Sequence, residues 1–166
     1  MAYTKPISSA ALVAMSVSLA ACGGTPGEDG AGAAPTEPAP PAIEERQANF
    51  KAIGKAFKAI RVQLEESSPD MAIIAGAASD LNAAAMKAEG LFPKGTSVDD
   101  GFDTEALSAI WEKPEEFAAA NKMLTDATAQ MVALAEAGDP AAIGPQVGEV
   151  GKSCKNCHDN FRLDTD

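Results

Sequence analysis

The chain has 166 residues, with 24 acidic against 13 basic side chains, one histidine and three cysteines. A formal net charge of −11 argues against nucleic acid or an anionic lipid surface as a partner, because both repel an acidic protein. The length leaves room for one compact domain plus terminal segments.

The N-terminus reads as an export signal. Lys5 supplies a minimal positive region, and Ile7 to Ala20 is an uncharged run of apolar and small residues, too short to span a bilayer. It ends in Leu19-Ala20-Ala21-Cys22 followed by Gly23, the pattern of a bacterial lipobox, whose cysteine is lipidated and becomes the new N-terminus. Residues 1–21 are therefore read as a lipoprotein-type signal peptide and Cys22 as the lipidation site. The alternative is an ordinary cleavable signal in which Cys22 is incidental. Either delivers the chain to the periplasmic side of a bacterial membrane, lipid-anchored in the first case and soluble in the second. Removing 21 residues, among them Lys5 and no acid, leaves 145 residues and a net charge near −12. Any membrane contact then comes through acyl chains and not through charge.

Residues 22–42 read as a disordered linker. From Gly23 to Ala42, glycine, proline and alanine take 15 of 20 positions, which leaves no large apolar side chain to drive folding. As a coil this stretch reaches roughly 25 Å, and about 70 Å when fully extended.

Residues 43–166 carry four segments with apolar residues at alternating steps of three and four. The first holds Ile43, Phe50, Ile53, Phe57, Ile60 and Leu64, and Pro69 closes it. Asp70 caps the second, which runs through Met71, Ile74, Ala78, Leu81, Ala85 and Ala88. Pro114 opens the third, where proline fits the first helical turn. Its stripe is Phe117, Ala120, Leu124, Ala127, Met131 and Leu134, and Gly138 ends it. Asp139-Pro140 opens the fourth, with Ile143, Val147, Val150, Cys154, Cys157 and Phe161. Such seams pack helices at shallow angles. Short connections after the first and third segments make those neighbours antiparallel. The long connection, Gly90 to Lys113, holds a short helical turn within Thr104–Trp111. The predicted fold is all-α, an up-down-up-down antiparallel four-helix bundle.

On the last seam lies Cys154-Lys155-Asn156-Cys157-His158. Cys-x-x-Cys-His is the attachment signature of c-type haem. Two thiols add across the haem vinyl groups, and the adjacent imidazole reaches the iron as axial ligand. Cys154 and His158 are four apart and project from one helix face. The motif occurs once, so one covalent haem c per chain is expected, inside the bundle because both cysteines lie on the seam. A zinc site lacks a fourth ligand of the usual kind, since His158 is the only histidine and Cys22 is far away. A thioredoxin-like site needs a βαβ context that this segment does not show. A Cys154–Cys157 disulfide leaves His158 without a role.

A C-terminal Cys-Lys-x-Cys-His on the last helix of a four-helix bundle resembles cytochrome c′, over the whole of residues 43–166. Arg46-Gln47-x-x-Phe50 is similar to that family's distal-side motif. Ile110-Trp111 followed by Phe117 is similar to its entry into the third helix, and Arg162, four residues after His158, to its proximal arginine. The resemblance implies a five-coordinate iron held by His158, with Phe50 in place of a ligand on the other face. It puts Arg46 and Gln47 near the haem propionates and Arg162 beside the axial histidine. It also implies a homodimer through the first two helices. The lipobox and linker lie outside the resemblance.

Three functions compete. The first, which the resemblance implies, is binding of diatomic gases, nitric oxide and carbon monoxide, for nitric oxide sequestration or tolerance. The second is periplasmic electron transfer by a six-coordinate His/Met haem, with a ligand drawn from Met71, Met86, Met123 or Met131, all on predicted seams where packing also explains them. The third, an enzyme, has no acid–base pair or nucleophile arrangement behind it, and the expectation is a non-enzyme.

Overall fold

The computed structural model describes residues 39–165, so the expected signal peptide, Cys22 and most of the linker lie outside the described residues. Five α-helices follow in order: α1 Pro41–Glu65, α2 Met71–Ala88, the short α3 Ala109–Glu112, α4 Pro114–Ala137 and α5 Pro140–Phe161. Single 3₁₀ turns, Glu89–Leu91 and Val98–Asp100, interrupt the long connection between α2 and α3. The four long helices form the antiparallel bundle that the seams predict.

Local chemistry sets the helix ends. Asp70 accepts hydrogen bonds from the Ala72 and Ile73 amides at 2.9 and 3.3 Å, and Asp139 accepts one from Ala141 at 2.9 Å. Each satisfies a donor that the first turn leaves unpaired. Gly138 ends α4 with φ +74°, a conformation that a side chain disfavours. The start of α1 differs from the expected boundary at residue 42. Pro41 and Ala42 are already helical, because proline's fixed φ suits the first helical position even at the end of a linker-like stretch. Pro145 sits inside α5 and removes one helical hydrogen bond, yet the helix continues. The neighbouring Gln146 side chain ties α5 to α4 by donating to the Ala127 carbonyl at 2.8 Å.

α1 packs on α2, α2 on α4, and α4 on α5, while α1 and α5 touch only sparsely. The main core joins Ile53, Ile60, Ile74, Leu81, Met131, Ile143 and Val150 across all four helices. A second cluster, Ala106, Ile110, Phe117, Ala120 and Phe161, fills the other part of the bundle. Buried polar residues bridge the helices: Asn49 donates to the Ala84 carbonyl at 2.9 Å and the Thr128 hydroxyl to Asn82 Oδ1 at 3.0 Å. Two predicted seam residues are not on the seam. Met86 is 68% exposed and Met123 48%, because each lies one position off the buried rows Leu81–Ala85–Ala88 and Ala120–Leu124.

Candidate haem-binding site

Where α1 and α5 fail to meet, a cavity of about 1040 Å³ opens between them. That is at the upper end of the roughly 300–1,000 Å³ usual for small-molecule sites. α5 lines it with Cys154, Cys157, His158 and Phe161, and α1 with Phe50, Ile53 and Phe57. The loop before α3 closes it with Phe92, Phe102, Thr104 and Ala106. The motif thus converges on one large, mainly apolar space.

The donor chemistry fits a haem c. Both thiols are free and half-buried. Burial raises the Cys154 thiol above its ordinary value, against hydrogen bonds with Ser153 and its own backbone. Burial, then repulsion from Cys154, pushes Cys157 up to about 11. Both thiols line the cavity beside His158, as attachment at two vinyl groups next to an iron ligand requires. The His158 ring has a lowered pKa, first through its partial burial and then through Arg162, with Glu105 and Asp159 opposing. The imidazole is neutral at pH 7 and has a lone pair for a metal.

Four phenylalanines link the two sides of the cavity edge to face. Phe50 meets Phe92 at 6.0 Å between ring centroids, Phe92 meets Phe117 at 4.9 Å, and Phe117 meets Phe161 at 5.3 Å. Phe50 is only half-buried, and so is not a plain core residue. Phe92 was not legible in the sequence, because no helical period covers it. Trp111 holds it by donating to its carbonyl at 3.0 Å.

Arg46 departs from the role that the resemblance implies. It is 3% exposed, although it lines the cavity. One terminal nitrogen donates to Thr96 Oγ1 at 3.0 Å and the Leu91 carbonyl at 3.5 Å. The other donates to the Thr96 carbonyl at 2.9 Å and Thr104 Oγ1 at 2.7 Å. Its guanidinium also lies 4.9 Å from the Phe92 ring centroid. All four terminal N–H groups therefore bind protein acceptors. Arg46 pins the loop that carries Phe92 over the cavity, and only Nε–H remains for a carboxylate. Gln47 lines the same wall and donates to the Asp103 carbonyl at 3.0 Å.

Arg162 lies at the cavity rim, and its Nε donates to Glu105 Oε2 at 2.6 Å. That contact is the main cause lowering the Glu105 pKa. The backbone joins in: Leu163 N–H donates to the Glu105 carbonyl at 2.7 Å and Leu107 N–H to the Phe161 carbonyl at 3.1 Å. The chain leaving α5 is thereby stitched to the covering loop. Among the described residues, none of Met71, Met86, Met123 and Met131 lines the cavity. Met131 is fully buried in the main core, and Met86 and Met123 face out.

Comparison with known proteins agrees with the site. A family profile described as cytochrome c′ matches residues 41–162. The chain is 37% identical over 126 residues to a cytochrome c′ of Rhodospirillum rubrum, covering 74% of this chain and 82% of that one. It is 39% identical over 99 residues to a cytochrome c-554 of Cereibacter sphaeroides, covering 59% and 74%. Among solved structures, the cytochrome c′ of Rubrivivax gelatinosus superposes with a TM-score of 0.66 at 33% identity, covering 73% of this chain and 94% of that one. A nitric oxide complex of a cytochrome c′ variant from Alcaligenes xylosoxidans superposes with a TM-score of 0.67 at 26% identity, covering 74% and 94%.

Proposed function

The chain belongs to the cytochrome c′ family of c-type haem proteins, and from that premise we propose that it binds diatomic gases, nitric oxide and carbon monoxide, at a five-coordinate iron. A bound haem would supply an iron able to take a diatomic gas. Cys154 and Cys157 would hold it through two thioethers, and the neutral His158 imidazole would bind its iron. Arg162, drawn to Glu105, keeps positive charge beside that ring and favours its neutral form.

The observation that carries the reading is the composition of the α1 wall. Phe50, Ile53 and Phe57 offer no lone pair, and no methionine among the described residues reaches the cavity. A six-coordinate His/Met carrier would require Met131 or Met71 to leave its packing in the main core, or Met86 or Met123 to turn in from solvent. Phe50 then acts as a movable cover. Its ring is half-buried and meets one neighbouring ring at its edge, so an incoming gas has to displace it. The solved nitric oxide complex of a relative supports the same ligand class. The role is binding, with nitric oxide sequestration or tolerance as its use, and not catalysis.

Carbon monoxide titration of the reduced protein, followed by absorption, tests the proposal. One gas per chain with a saturating spectral change is expected, and no binding overturns it.

The export reading places the domain on the periplasmic side, held by a lipid on Cys22. Among the described residues no helix is long and apolar enough to cross a membrane. Mass spectrometry of the mature protein should find an acylated Cys22 at its N-terminus, and cleavage elsewhere rejects the anchor. A homodimer over α1 and α2 is supported by Val62 and Ile73, exposed apolar residues on either side of the α1–α2 turn. One relative is described as showing ligand-controlled dimer dissociation. Sedimentation of the apo- and gas-bound protein decides it.

A further inference from the structure

We propose that Glu105 is a positioning residue for the axial side of the haem: it holds the Arg162 guanidinium to the covering loop and thereby sets how strongly that charge acts on the iron bound by His158. This role rests on His158 being the axial ligand of a bound haem, and it holds whether or not the opposite face is open.

α5 ends directly after the haem motif, and it ends without a glycine. α4 stops on Gly138 in the left-handed conformation, whereas Arg162, the residue after α5, is extended at φ −116° and ψ 136°. The covering loop is what takes up the chain there. Ala106 and Arg162 pair as an isolated antiparallel bridge. Leu107 N–H donates to the Phe161 carbonyl at 3.1 Å and Leu163 N–H to the Glu105 carbonyl at 2.7 Å, so the backbone is tied on both sides of Arg162. Arg162 N–H in turn donates to the His158 carbonyl at 3.2 Å and closes the last turn of α5. The main chain therefore fixes where the Arg162 side chain begins, one turn beyond the axial ligand. Glu105 then fixes its far end, accepting from Nε at 2.6 Å.

Stability does not account for this pair. Its side chains are 45% and 47% exposed, and ion pairs so open to water contribute little. Among the described residues, four of the other five ion pairs join acids and lysines three or four positions apart. Glu105 and Arg162 are 57 positions apart, and both line the haem cavity together with His158. Groups standing behind a metal's ligand tune the metal through charge and hydrogen bonding. Ferric iron carries one more positive charge than ferrous, so a nearby arginine favours the ferrous state and a carboxylate bound to that arginine offsets it. With Glu105 in place the guanidinium is neutralised and kept at the loop. Without it the charge is uncompensated, and the side chain loses the contact that directs it away from the axial ligand.

Reduction potentials of the holoprotein, measured by spectroelectrochemistry, test this in a double-mutant cycle of Glu105→Ala and Arg162→Gln, alone and together. Deleting a carboxylate raises the potential wherever it stood. If Glu105 acts through Arg162, the rise should be larger with Arg162 present than in the Arg162→Gln background, where no cation is released. Charges that act independently would simply add. Glu105→Gln keeps an acceptor for Nε and should show a smaller excess than Glu105→Ala. Asp103→Ala removes an acid from the same cavity lining and should give equal rises in both backgrounds. Equal rises for Glu105→Ala in the two backgrounds overturn the proposal, as does an excess that Asp103→Ala reproduces. Carbon monoxide binding by the same samples reports the open face separately. Its absence would refute gas binding, and the potential cycle would still decide the role of Glu105.

Discussion

Replacing Phe50→Ala separates a movable cover from ordinary core packing. Cutting a fully buried phenylalanine to alanine costs about 3–5 kcal/mol. Phe50 is half-buried, so its truncation should cost about 2 kcal/mol, including its edge contact with Phe92. The gas has to displace this same packing before it binds. With alanine nothing has to move, and the ligand gains up to that amount. At 1.4 kcal/mol per factor of ten, affinity for carbon monoxide should rise by up to roughly thirtyfold, with faster association. Flash photolysis of the reduced protein gives the rates, and urea unfolding of the same sample gives the stability. A variant that folds, loses the expected stability and binds with unchanged affinity and rate would refute the cover.

Three further outcomes follow from the site. Arg46→Met should lose about 3 kcal/mol in urea unfolding and expose amides 91–104 to hydrogen exchange, because the acceptors at Leu91, Thr96 and Thr104 lose a buried cation; a change under about 0.5 kcal/mol would contradict the loop clamp. Asp100 has a pKa lowered from 3.8, mainly by the Ser97 hydroxyl and then its amide, so its contribution is present above pH 3.8 and is lost as pH falls through the folded value. Ser97→Ala should raise the Asp100 pKa toward 3.8 in an NMR titration, and no movement would reject that cause. Denaturing gels stained for haem should show a band at the chain's mass in wild type and none in the double variant Cys154→Ala, Cys157→Ala; a stain that survives the double change would exclude thioether attachment.

Much of this architecture was legible from short-range patterns. The seams at steps of three and four set four helices, and Asp70, Pro114, Gly138 and Asp139 marked their ends through chemistry contained in one turn. Cys154, Cys157 and His158 fall within a single turn and a half, so their convergence needed no tertiary knowledge. The covering loop was a different matter. The resemblance put Arg46 near the haem propionates, whereas its acceptors in the covering loop lie 45 to 58 residues away. Phe92 belongs to no periodic segment, and its place depends on Trp111 and Arg46. The stitching of Glu105 and Leu107 to the end of α5 likewise pairs residues more than 50 positions apart. Helical period tells which face is buried and not which distant partner meets it. For the same reason Met86 and Met123, a single position off their rows, looked like core residues and are exposed.

The central claim, a haem iron with one protein ligand and an open face, is tested most directly by resonance Raman spectroscopy of the reduced protein without added gas. Five-coordinate high-spin marker bands with an iron–imidazole stretch are predicted, and the same bands should persist in Met131→Leu. A six-coordinate low-spin spectrum in the wild type would contradict the account and make the protein a His/Met electron carrier.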